Sequence, residues 1–98
     1  MKNFKDIEFK IGLIGKGIRG KLEIENGMEI SVVAGEMNYC TPRKDISVDG
    51  WISFEVAILD SDGNFITEKI YGGKCHDILG WQSRENINDL ITKMYNYE

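Results

Sequence analysis

Period-two alternation runs through most of this 98-residue chain and constrains its fold more than any other feature. Ile7, Phe9, Ile11 and Leu13 occupy alternate positions, with Glu8 and Lys10 between them. Ile18, Gly20, Leu22 and Ile24 alternate with Arg19, Lys21 and Glu23, and Met28, Ile30, Val32 and Ala34 form a third run. Successive side chains of a strand point to opposite faces, so each run predicts a strand buried on one side and wet on the other. Glu25-Asn26-Gly27 separates the second run from the third. Asn-Gly in that position is the strongest short-range hairpin signal, because both turn residues take positive φ.

Residues 51 to 59 and 65 to 71 are also β-rich and flank Asp60-Ser61-Asp62-Gly63-Asn64. They read as a further hairpin, ended by Gly72-Gly73, with 74 to 80 a short connection. Ser83 then stands where an N-cap belongs, and Ile87, Leu90, Ile91 and Met94 follow the i, i+3, i+4, i+7 rule of a helix with one apolar face. That helix is expected from about 84 to 96. The predicted architecture is α+β: a single antiparallel β-sheet of about five strands, with one C-terminal helix packed on one face. Residues 1–98 are expected to be a single domain. Area scaling buries about 65% of the extended surface, enough for one core and not for two.

Charge narrows the function classes. The net charge is −4 and the largest basic cluster, Lys16, Arg19 and Lys21, lies on a predicted strand. Neutralising phosphates supplies most of a nucleic-acid binder's affinity, so direct nucleic-acid binding is not expected. No run approaches the apolar length of a membrane span. The opening Met1–Asp6 has no unbroken apolar stretch, which predicts no secretory signal and a cytoplasmic protein whose two cysteines, Cys40 and Cys75, stay reduced.

Three motifs invite chemistry. Gly15-Lys16-Gly17-Ile18-Arg19-Gly20 matches G-x-G-x-x-G, but a dinucleotide site needs that loop to open a helix, and here a strand follows. It is expected to be a hairpin loop. In an alternative reading, Lys16, Gly17 and Arg19 contact the phosphate of a nucleotide signal sequestered by an oligomer. Asp60–Asn64 begins like a calcium loop but lacks the distal glutamate and the flanking helices, so it suits a turn. Cys75-His76-Asp77 places nucleophile and base next to each other in sequence, where a dyad rarely forms. With one histidine and no zinc-like spacing to Cys40, no metal, cofactor or catalytic residue is expected, and the chain reads as a non-enzyme.

What remains is contact chemistry. Residues 35 to 50 are irregular and hold the only proline, Pro42. Connections of that length are often where a protein makes its contacts. Tyr39, Arg43 and Trp51 lie in or beside this segment and are residue types that dominate interface energetics, so they are the expected partner-binding residues. Trp81 is expected to pack the start of the helix onto the sheet.

Asn26-Gly27-Met28-Glu29-Ile30-Ser31-Val32-Val33, Phe54-Glu55-Val56-Ala57-Ile58-Leu59 and Asp77-Ile78-Leu79-Gly80-Trp81 before a short amphipathic helix carry a resemblance. Over residues 26 to 95 the chain loosely resembles a group of small uncharacterised proteins from phages and prophages. That group reads N-G-x-x-x-S-V, Y-E-x-A-x-L and D-x-(I/V)-x-G at these places. The shared motifs are structural, and the chain departs from the group at Tyr39-Cys40-Thr41-Pro42-Arg43, where the group is often glycine-rich. The resemblance implies a viral accessory protein. The expectation that follows is a binding protein acting in the host cytoplasm, which blocks a host protein such as a component of antiviral defence. An uncovered sheet face or edge also allows a homodimer.

Overall fold

The alternating runs become strands because each has a core to face. The computed structural model describes residues 1–11, 17–36, 38–44, 46 and 48–97. β1 (Glu8–Ile11), β2 (Ile18–Glu23), β3 (Glu29–Ala34), β4 (Phe54–Leu59) and β5 (Leu79–Gln82) form one antiparallel sheet in the order β1-β2-β3-β4-β5. A turn at Asn26–Gly27 closes the β2–β3 hairpin as expected, but only Gly27 takes positive φ, at 90°. The Gly27 N–H donates to the Ile24 carbonyl at 3.0 Å, which centres the turn on Glu25 and Asn26. Leu13, Gly15 and Lys16 lie outside the described residues.

Register sorts the side chains into two faces. Leu22 stands opposite Ile30 and Ile30 opposite Ile58, all buried. Phe9, Gly20, Val32 and Val56 line up in a second row on that same face. The other face carries the rows Lys10–Arg19–Val33–Glu55 and Glu8–Lys21–Ser31–Ala57. Ile11, at the end of the edge strand, is exposed even though its cross-strand partner Ile18 is buried.

The C-terminal helix α2 (Arg84–Asn96) covers the apolar face, and its Ile87, Leu90, Ile91 and Met94 join the sheet's buried residues in one cluster. Its start is set locally: the Ser83 hydroxyl accepts from the Asn86 N–H at 3.1 Å, while the Asn86 side chain accepts from the Ser83 N–H at 3.0 Å. Such a reciprocal cap satisfies two donors that the first turn leaves open. Arg84 then locks the helix entry. Its guanidinium lies 5.2 Å and 5.4 Å from the ring centroids of Phe54 and Phe4 and donates to the Trp51 carbonyl at 2.8 Å. Among the described residues no helix is long and apolar enough to cross a membrane.

The second expected hairpin is corrected. Asp60–Asn64 does turn the chain, but only Leu59 and Phe65 bridge across it, and Thr67–Tyr71 forms a short helix, α1, instead of a strand. Under period two neither face of 65–71 is consistently apolar. At helical spacing, Ile66, Thr67 and Ile70 fall together on the buried side. Buried Thr67 fixes the position by accepting from the Ile58 N–H at 2.9 Å and donating to the Asp77 carbonyl at 2.7 Å. Gly72, read from sequence as the end of a strand, is the left-handed C-cap of α1. The fifth strand comes from what reads as a connection, at Leu79–Gln82.

Candidate functional site

The irregular segment is held to the β4–β5 end of the sheet by three local anchors. Cys40 is buried; its sulfur accepts from the Gly35 N–H at 3.3 Å and lies 3.3 Å from the carbonyls of both Gly35 and Pro42. Glu55, on the polar face of β4, accepts from the Tyr39 N–H at 3.0 Å and the Asn38 side-chain amide at 3.4 Å. The Tyr39 carbonyl in turn accepts from the Trp81 N–H of β5 at 2.9 Å. Tyr39 is thereby tied to two strands through its backbone, which leaves its ring at the surface.

The ring sits over Gly80. A β-carbon there would come within 2.7 Å of the Tyr39 Cβ, so glycine is what lets the tyrosine lie this close. Beside it, the Trp81 ring centroid is 5.3 Å from that of Tyr39, and the Arg43 guanidinium lies 5.5 Å over the Tyr39 ring. Tyr39 is 48% exposed and Trp81 56%. Ile52 and Ile78, which precede Ser53 and Leu79, are exposed as well. The result is a cation-capped aromatic patch on the open edge of β5.

Two expectations about tryptophan are reversed. Trp51 is fully buried and belongs to the core, so it offers no contact surface, and Trp81 is the tryptophan that stands exposed beside Tyr39. The reason is one extra residue. Phe54 pairs with Gln82 and Val56 with Leu79, so three residues of β4 oppose four of β5. Simple alternation from the buried Leu79 would turn Trp81 inward too. The bulge breaks that alternation, and Trp81 takes φ 52, a left-handed conformation rare for a bulky residue. Sequence alone offered one signal, a tryptophan after glycine in a segment too short to alternate.

The glycine-loop residues do not form a unit among the described residues. Lys16 lies outside them; Gly17 packs against the Ala34–Gly35 backbone, where a β-carbon would run into the Ala34 carbonyl. Arg19 stands on the polar face, paired across the sheet with Lys10 and Val33.

Cys75, His76 and Asp77 form an anchored turn beside α1. The Glu68 carboxylate accepts from the His76 N–H at 2.8 Å and the Cys75 N–H at 3.1 Å. These two amides, His76 first, hold the Glu68 carboxyl below its ordinary range. Partial burial, then the Glu68 and Asp77 carboxylates, push the Cys75 thiol up, which keeps its proton on at neutral pH. A nucleophilic cysteine needs the opposite surroundings. Asp60 is likewise held down, by the Asn64 amide above all, and its carboxylate is engaged in its own turn. Among the described residues no group of three or more His, Cys, Asp or Glu is arranged to hold a metal ion.

No family model, curated protein or solved structure matches this chain.

Proposed function

We propose that this is a non-catalytic binding protein whose contact surface is the Tyr39–Arg43–Trp81 patch on β5. The observation that carries the reading is Trp81 itself. A left-handed, bulky residue costs about 1–2 kcal/mol, and exposing an indole forgoes the burial that would offset that cost. Folding gains only one exposed stacking contact from such a side chain, whereas an interface gains a large, rigid anchor. Tyrosine, tryptophan and arginine are the residues on which binding energy concentrates. Here the bulge, Glu55 and Cys40 hold them in place before any partner arrives, which lowers the ordering cost of association.

The resemblance to phage and prophage proteins extends this reading to a partner. The protein is a viral accessory factor that acts in the host cytoplasm and occludes the working surface of a host protein, such as a component of antiviral defence.

The test is capture from lysate of the bacterial host with the wild-type chain, W81A, Y39A and R43A side by side, followed by affinity measurement on whatever the wild type retains. W81A is expected to weaken the partner at least tenfold, and Y39A and R43A by smaller factors, with melting temperatures close to wild type. Retention of the partner at unchanged affinity by all three variants would remove the patch from the interface.

A further inference from the structure

The polar face at the other end of the sheet carries a second feature. Lys10 and Arg19 stand directly opposite each other on β1 and β2, and Lys21 follows Arg19 on the same face. Cross-strand partners lie about 5 Å apart and same-face neighbours about 7 Å, so three cations share one small area. Like charges directly opposite destabilise a sheet. Yet among the described residues none of the three side chains has a hydrogen-bond or ion-pair partner, the one ion pair being Lys2–Glu25. Beneath them the floor is small: Ser31 and Val33 of β3 leave an open concavity of about 560 Å³ bounded by Lys10, Arg19 and Lys21, with Glu8 at its side.

We infer that this concavity binds a small molecule carrying a diphosphate group. Arg19 and Lys10 grip the two phosphates across the strand pair, Lys21 adds a third charge, and the Ser31 hydroxyl donates from the floor. Arginine's planar fork suits bidentate contact with phosphate, and lysine supplies point charges beside it. The surroundings limit the ligand's size. Glu8 stands opposite Lys21, Glu23 and Glu29 face each other one row further along, and Glu55 closes the row of Arg19. A nucleic-acid strand leaving the cations in these directions would meet several carboxylates, whereas a compact diphosphate meets only Glu8, set against three cations. The site lies on β1–β3, away from the β5 patch, and does not depend on it.

Titration of the ¹⁵N-labelled chain with inorganic pyrophosphate at low ionic strength tests it. Saturable shifts are expected at Lys10, Arg19, Lys21 and Ser31, with the dissociation constant raised at least tenfold in R19A, similarly in K10A, and unchanged in W81A. Shifts no larger than those produced by sodium chloride at matched ionic strength would overturn the inference. So would unchanged binding in both R19A and K10A, or tighter binding of a long single-stranded oligonucleotide than of pyrophosphate.

Discussion

Both ends of the sheet use a glycine to let an aromatic ring close over a strand, but on opposite faces. At the β1 end, Phe9 stands opposite Gly20 on the inner face, its ring 5.6 Å from Phe4 and 6.0 Å from Phe54. At the β5 end, Tyr39 lies over Gly80 on the outer side with Trp81 beside it. The device is the same and the outcome differs, because only the inner face has helices to complete the burial. Phe9 is half-buried and packs against the core between Phe4 and Phe54. Tyr39 and Trp81 have no such cover and stay exposed.

The tryptophans provide the hardest test of that contrast. Trp51→Ala removes a fully buried indole and should cost about 3–5 kcal/mol in urea unfolding. Trp81→Ala, by contrast, should change stability by no more than about 1 kcal/mol, since it loses one exposed stacking contact. Equal losses would make Trp81 a structural residue and break the comparison.

The glycines come next. In Gly20→Ala the new β-carbon would meet Ile7 Cγ2 at 2.6 Å and the Glu8 carbonyl at 3.0 Å, so overpacking should cost about 1–3 kcal/mol. Gly80→Ala displaces an exposed ring instead. It should cost less than Gly20→Ala, while near-ultraviolet circular dichroism reports the loss of the Tyr39–Trp81 pair.

Strain at Trp81 has its own signature. Alanine keeps the left-handed penalty that glycine escapes, so Trp81→Gly should be more stable than Trp81→Ala by about 1 kcal/mol. At the β1 end, Lys10→Glu turns a like-charge pair with Arg19 into an opposite-charge one. It should stabilise the fold by about 0.2–1 kcal/mol at low salt, and less as salt is added.

The smallest effect is titration. Glu68 has a carboxyl lowered in the folded chain, so its contribution is complete above its ordinary value near pH 4 and is lost as pH falls through the lowered one. Glu68→Gln should therefore lower stability slightly at neutral pH, leave the slope there unchanged, and flatten the acid limb of the profile below about pH 5.

Legibility followed the range of the interactions involved. β2, β3, their Asn26–Gly27 turn and α2 were readable because the alternation, the turn residues and the Ser83 cap act within a few positions of one another. α1 was not, since a five-residue helix has no repeated period to detect and forms where buried Thr67 meets β4 and Asp77. In the irregular segment, Tyr39 and Arg43 do come together, and the tryptophan beside them is Trp81. That could not be read from residue type, because Trp51 and Trp81 are chemically identical and differ only in where the fold puts them.

By itself, the sequence determined an α+β chain with an antiparallel sheet and one capped amphipathic helix. Those features rest on local patterning, which neighbouring residues enforce on one another. The tertiary structure alone decided which tryptophan is core and which is surface, and which cations share a face. Each of those outcomes depends on pairing register between strands distant in sequence. A single inserted residue in β5 is enough to turn an indole from the core towards solvent.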